Sequence, residues 1–179
     1  MKVAFVGSFS TGKTTLASHF ALEWDYPLLP EVAREVVALG FPLDQGATAE
    51  TETLIFLKQW RAEASHDRFV ADRSIYDVLA YADWVMAQDR PPRKEDHLWS
   101  EAREIAVDNL RARYDHVLYL PIEFPIVLDG LRPDDTDFQA QIDGRITGLL
   151  KEADVAYSTL TGSIEERQEQ VRRLVGTPR

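Results

Sequence analysis

The segment Gly7-Ser8-Phe9-Ser10-Thr11-Gly12-Lys13-Thr14 constrains this chain more than any other, because it fits the phosphate-binding pattern G-x-x-x-x-G-K-S/T without a gap. Its flanks supply the context the pattern requires. Before it stands Lys2-Val3-Ala4-Phe5-Val6, an apolar run suited to a buried parallel strand. After it, Leu16 and Phe20 recur at helical spacing with the small Ala17 and Ala21 beside them. Strand, glycine loop and helix in that order form an anion cradle. Gly7 and Gly12 permit backbone geometry closed to other residues, and the helix presents the positive end of its dipole. The expected nucleotide contacts are Gly7, Ser10, Thr11, Gly12, Lys13, Thr14 and Thr15. Lys13, expected to be exposed in the anion site, can reach β- and γ-phosphates, and the Thr14 hydroxyl can ligate Mg²⁺. The chain is expected to bind a nucleoside triphosphate, ATP with Mg²⁺.

At 179 residues one domain, spanning 1–179, is the natural expectation. There are no cysteines, which excludes disulfides and Cys-based zinc sites. No window approaches the length of a membrane span, and the first strand begins at once, which leaves no room for a signal peptide; a cytoplasmic location is expected. Net charge is −10 with a pI near 4.8. An acidic surface repels nucleic acid, so polynucleotide substrates are disfavoured without a local basic cleft being excluded.

Strands and helices alternate along the chain. Expected strands are residues 2–6, 26–29, 69–71, 116–120 and 155–159. Residues 49–65 predict a helix with Leu54, Leu57 and Trp60 on one face, and helices are also expected over 100–113, on to Leu150, and over 164–174. Gly40-Phe41-Pro42 is a break, and residues 88–94 read as a polar, proline-rich loop. The pattern implies an α/β fold of the P-loop NTPase type, a doubly wound, parallel, five-stranded sheet flanked by helices. Ligands then sit at the carboxyl ends of the strands.

That rule draws attention to Asp72, which directly follows Phe69-Val70-Ala71. Three roles are open to it: a Mg²⁺ contact through water, a base for a substrate hydroxyl, or a cap on the next helix. Arg73 either touches an anion or pairs with an acidic neighbour. Glu31, Arg34 and Glu35 form a second cluster; on a helix the two carboxylates share a face with Arg34 alongside. A solvated helix start accounts for the same residues. Residues 129–137 form a third, lid-like segment in which Arg132 is the basic group able to meet a phosphate as charge shifts during transfer. A plain turn of Gly, Pro and Asp also fits. The four histidines show no metal-ligand spacing.

Taken together, these blocks resemble the ribosylnicotinamide kinase domain of bacterial NadR proteins and the related P-loop ATPase/kinase (AAA_28-like) group. The resemblance runs over nearly the whole length. It is carried by the phosphate loop, by Glu31-Val32-Ala33-Arg34-Glu35 as an E-x-x-R-E segment, by Asp72 at its strand end, by Asp115 to Leu120, and by Asp129-Gly130-Leu131-Arg132. It implies that Glu31, Arg34 and Glu35 lie at a nucleoside site, Asp72 at the metal and acceptor hydroxyl, and Arg132 in a lid. One departure is Asp72-Arg73-Ser74, where the nicotinamide kinases more often show Asp-Thr-Asp. That triplet is similar to what deoxynucleoside and thymidylate kinases carry. No counterpart of the NadR adenylyltransferase and DNA-binding regions is present.

The resulting expectation is an ATP- and Mg²⁺-dependent small-molecule kinase. It would transfer the γ-phosphoryl group to a hydroxyl of a nucleoside-type acceptor, either nicotinamide riboside-like or a (deoxy)nucleoside or nucleotide. Two alternatives stand beside it. A nucleotide-dependent ATPase switch would be favoured by a guanine-specifying N-K-x-D segment, which the chain lacks. A nucleic-acid 5′-kinase would need a basic, aromatic-rich stripe, for which Arg90 to Lys94 is the short candidate.

Overall fold

The central strand follows from its alternation. In β1 (Lys2–Val6), Val3 and Phe5 face one side of the sheet and Ala4 and Val6 the other, and all four are fully buried. The computed structural model describes residues 1–88, 93–127 and 134–176. Its sheet has five parallel strands in the order β2-β3-β1-β4-β5, with β2 at Leu28–Leu29, β3 at Phe69–Asp72, β4 at His116–Tyr119 and β5 at Ser158–Thr159. The expected α/β architecture is present. The edge strands are shorter than the sequence suggests, each contributing two residues to the ladder.

One face of the sheet is covered by α1 (Lys13–Trp24) and α7 (Ile164–Val175), where Leu16, Phe20 and Val171 pack on Val3, Phe5 and Leu118. Helix α1 buries Leu16, Ala17, Phe20, Ala21 and Trp24, one stripe at helical spacing, and ends where Asp25 turns into the left-handed region at φ 53°. Fully burying a side chain such as Phe20 contributes about 2–3 kcal/mol. The other face carries α2 (Ala33–Ala38), α3 (Ala49–Ala64), α4 (Ile75–Met86), α5 (Lys94–Leu110) and α6 (Thr136–Glu152). Its core joins Ala4 and Val6 to Ile75, Leu79, Phe138 and Ile142. No helix among the described residues is long and apolar enough to cross a membrane.

Two elements depart from expectation. Helix α5 starts at Lys94 rather than residue 100, where the Arg93 N–H donates to the Asp96 carboxylate at 2.8 Å, so the end of the proline-rich stretch is helical. In α3 the buried residues include Glu52, Ile55, Phe56, Gln59 and Glu63, while Leu57 is 56% exposed and Leu54 and Trp60 are partly buried. The helix is rotated relative to its apolar reading. The reason is that other elements supply partners for its polar residues: Glu63 accepts hydrogen bonds from Gln59, Arg113 and Tyr114.

Register sets the functional end of the sheet. Phe5 of β1 lies opposite Asp72 of β3, so the strand end bearing Asp72 emerges two residues short of Gly7. Val6 lies opposite Tyr119 of β4 on the other side.

Candidate active site

The loop between β1 and α1 keeps a shape that its glycines alone permit. Gly7 has φ 153°, and a Cβ there would sit 2.5 Å from the Leu120 carbonyl oxygen. Gly12 has φ 91°, and a Cβ there would sit 2.9 Å from Ile164 Cδ1. Gly12 is also the cap residue of α1 and offers no side-chain acceptor, so the first-turn N–H groups remain turned to the cleft.

Distant residues brace this loop. Asp77 is fully buried; its Oδ1 accepts from the Gly7 N–H at 3.1 Å and its Oδ2 from the Ser74 N–H at 2.8 Å. The Gln139 side-chain amide of α6 donates to the Phe9 carbonyl at 2.7 Å, and the Gln139 backbone carbonyl accepts from the Ser8 hydroxyl at 3.0 Å. Arg167 of α7, 0% exposed, donates to the Thr11 carbonyl at 2.7 Å and to Glu123 at 2.8 Å, and its guanidinium lies over the Phe124 ring at 4.6 Å. Glu123 also accepts from the Gly162 N–H at 2.7 Å. The Arg167 hydrogen bond holds the Glu123 carboxyl below its ordinary pKa. Ser10, at φ 58°, accepts from the Val127 N–H at 3.1 Å.

Lys13 is 5% exposed, not exposed as expected: its ammonium lies inside the loop and donates to the Ser8 carbonyl and to Thr11 Oγ1. Thr14 is exposed at the start of α1. Asp72 is 5% exposed at the strand end and does not cap α4. Ser74 is the cap, in a box with Asp77. Of the three roles open to Asp72, the helix cap is thereby removed.

Arg73 holds a left-handed backbone, φ 88°, uncommon for a side chain of this size. Its Nε lies 2.7 Å from Glu31 Oε1, and its guanidinium stacks on Tyr81 at 5.0 Å. Burial works against its charge, but Tyr81, Asp77 and Asp72 outweigh it, so its pKa lies above the ordinary value. Glu31 is buried, precedes α2, and also reaches Arg34 at 3.5 Å. Glu35 is not brought to this cluster: it is exposed and pairs with Lys58 at 2.9 Å. Arg132 and its neighbours 128–133 lie outside the described residues.

Two cavities meet here. The larger, about 420 Å³, is lined by residues 9–15, Glu31, Arg34, Asp72 and Arg73, with Phe124, Val127 and Ile164 as an apolar wall. The smaller, about 20 Å³, lies behind Glu31 and Arg73, which line both. Its other walls include Val32, Leu43, Ile55 and Val78 with the polar Glu52, Gln59 and Tyr81. Burial first, and Asp44 next, push the Glu52 carboxyl up to about 8, against a smaller opposing pull from Arg73. Tyr81 is pushed up to about 12, chiefly by burial.

The sequence reading missed Asp77, Gln139, Arg167, Glu52 and Gln59. The spacing Ser74-x-x-Asp77 carries the capping-box signal. Nothing local marks Arg167, whose partner lies 156 residues away.

The fold has well-matched relatives among solved structures. A NadR protein in complex with NAD and AMP-PNP superposes with a TM-score of 0.74 at 19% identity, covering 99% of this chain and 50% of that one, so the chain spans about half the length of that NadR protein. Deoxyadenosine kinase from M. mycoides, with dCMP and dCDP bound, gives 0.69 at 11% identity over 99% of this chain and 100% of that one. Thymidylate kinase from Candida albicans gives 0.70 at 16% identity over 98% and 91%. No curated protein matches the chain by sequence. The family match is extensive, covering residues 2–167, and the chain belongs to the AAA_28 family of AAA domains.

Proposed function

We propose that the chain is an ATP-dependent phosphotransferase that phosphorylates a hydroxyl of a nucleoside-type small molecule. The observation that carries this reading is the pair Glu31–Arg73, which lines both the phosphate-loop cleft and the cavity behind it, with Asp72 at the strand end beside them. A switch needs a nucleotide cleft; it does not need a second buried pocket opening off its end. The ligands named with the structural relatives, nicotinamide riboside with a NadR protein and dATP with deoxyadenosine kinase, support a nucleoside-type acceptor. The apolar wall of Phe124 and Ile164 suits the base of ATP.

In this reading the acceptor oxygen forms a bond to the γ-phosphorus as the bond to the β–γ bridging oxygen breaks. ADP leaves, and the Asp72 carboxylate takes the acceptor proton. Lys13 and the α1 N–H groups meet the charge that develops on the phosphoryl oxygens. Mg²⁺ when bound neutralises β- and γ-phosphate charge, and the Thr14 hydroxyl and Asp72 are suited to hold it. No cluster of three or more His, Cys, Asp or Glu among the described residues could hold a metal without such phosphate ligands. Arg132 is proposed as the lid arginine.

The test is acceptor-dependent ADP release with ATP and Mg²⁺ across nucleosides, nucleotides and oligonucleotides, with the phosphorylated product identified by mass. Asp72→Asn should lower kcat by about 10²–10³-fold while ATP affinity changes less than about threefold. ATP hydrolysis that no acceptor stimulates would sink the proposal.

A further inference from the structure

Of the polar side chains around the small cavity, most are already engaged. Glu31 and Arg73 bind each other. Tyr81 carries the Arg73 guanidinium over its ring at 5.0 Å. Both amide hydrogens of Gln59 are committed, one to Glu63 at 2.8 Å and one to the Arg73 carbonyl at 3.3 Å. Glu52 differs. It is 1% exposed, it lines the cavity, and it makes no hydrogen bond or ion pair among the described residues. A buried carboxyl without a partner carries a substantial desolvation cost, so its presence beside a cavity needs an explanation. The faces of the cavity are apolar, set by Val32, Leu43, Ile55 and Val78, as befits a planar ring.

We infer that Glu52 determines acceptor specificity by donating a hydrogen bond from its carboxyl to a lone pair of an uncharged base. This rests on the reading of the cleft as a nucleoside-type kinase site. Charge decides the form of Glu52. The groups facing it are Asp44 from the turn before α3, Arg73 from the end of β3, Glu31 ahead of α2, and Tyr81 from α4. One guanidinium already serves Glu31, and Asp44 raises the cost of a further negative charge, so Glu52 keeps its proton at neutral pH. A protonated carboxyl has one O–H to give and a carbonyl to receive. A base presenting a lone pair next to an N–H complements it. The cavity, at about 20 Å³, holds little more than a water molecule, so a ring reaches Glu52 only if the walls at Val32, Leu43, Ile55 and Val78 give way.

The experiment is calorimetric titration of the full chain with adenosine, cytidine and nicotinamide riboside at about pH 7 and about pH 9, beside Glu52→Gln and Glu52→Leu. The two neutral nucleosides do not titrate in that interval, and nicotinamide riboside is a fixed cation. Expected is binding of a neutral nucleoside that weakens about tenfold at the higher pH in the wild type. Glu52→Gln, which keeps a neutral donor, should bind within about threefold of wild type and lose the pH dependence; Glu52→Leu should weaken binding about tenfold or more. The inference is overturned by pH-independent binding, by Gln and Leu variants equally weak, by failure of both neutral nucleosides to bind, or by preference for the cation with affinity rising with pH. If a variant does not fold, the wild-type pH dependence decides alone. Acceptor phosphorylation with pH-independent binding defeats this inference and leaves the kinase reading standing; absence of any acceptor-stimulated turnover defeats the kinase reading itself.

Discussion

The phosphate loop takes its shape from consecutive residues, Gly7 to Thr14, and borrows only its bracing from Asp77, Gln139 and Arg167. The small cavity beside Arg73 is assembled in the reverse manner. Its walls come from the start of α2 and the residues ahead of it, the turn near Leu43, α3, the end of β3 and α4, and no single stretch of the chain specifies it. The loop also keeps its backbone N–H groups turned to the cleft, while the small cavity is lined by buried ionisable groups. A local motif can be shared across many proteins because it carries its own geometry. A pocket gathered from five segments can change its ligand one side chain at a time, so substrate choice is the more changeable property of the pair.

Breaking the loop should have the largest effect. Lys13→Ala is expected to lower kcat by about 10³-fold or more, since in the proposed reaction the ammonium meets the transferring phosphoryl oxygens. Its melting temperature should stay within a few degrees of wild type, because the hydrogen bonds Lys13 makes to Ser8 and Thr11 lie within one loop and tie no distant elements together. Wild-type turnover in that variant would refute the loop assignment.

The bracing is tested by Arg167→Leu. It removes a buried guanidinium together with its bonds to Thr11 and Glu123, and the expected loss is about 2–3 kcal/mol by urea unfolding, below the figure for a fully buried pair because Glu123 is partly exposed. ATP affinity should fall with it. A fully stable variant with unchanged ATP binding would show that the loop holds its shape unaided.

The cavity is probed by pH. The folded-state pKa of Glu52, about 8, lies above its ordinary value of 4.5, so the folded chain binds more protons between the two. The stability this contributes is complete below the lower value and is lost as pH rises toward the upper one. Glu63 is shifted in the same direction by burial. Urea midpoints should therefore fall from about pH 5 to about pH 8, with Glu52 contributing up to about 1.4 kcal/mol per pH unit. Glu52→Gln should flatten that share of the slope; an identical slope in the variant would mean that Glu52 titrates normally.

Smallest is Glu35→Ala. Its pair with Lys58 is exposed, worth about 0.5 kcal/mol or less, and it lies outside both cavities. Activity should stay within about twofold of wild type. A large loss of acceptor affinity would bring Glu35 into the site during turnover.

What the sequence made legible follows the same division. β1, the loop and α1 could be read because each is set by neighbours a few residues apart: alternation in Val3 to Val6, glycines at fixed offsets, helical spacing of Leu16 and Phe20. Asp72 could be placed because the ends of parallel strands gather at one edge. The rotation of α3 could not, since Gln59 and Glu63 face inward on the strength of Arg73, Arg113 and Tyr114, which belong to other parts of the chain, and Glu52 turns inward with them without a bond of its own among the described residues. The early start of α5 was hidden because the prolines before it read as a loop. Only half of Asp77 could be anticipated: its bond to Ser74 is local, whereas its bond to Gly7 spans 70 residues.

That divided carboxylate acts as a ruler. One oxygen holds the first residue of the phosphate loop and the other the start of α4, two residues past Asp72, so the gap between the two strand ends is measured by one short side chain. Pulling either end away leaves a buried, charged oxygen without its donor, which the interior tolerates poorly. In the proposed transfer, the span a phosphoryl group crosses is thus held by a part that lines neither cavity. Lengthening that part by one methylene would recalibrate the whole site without altering any residue that lines it.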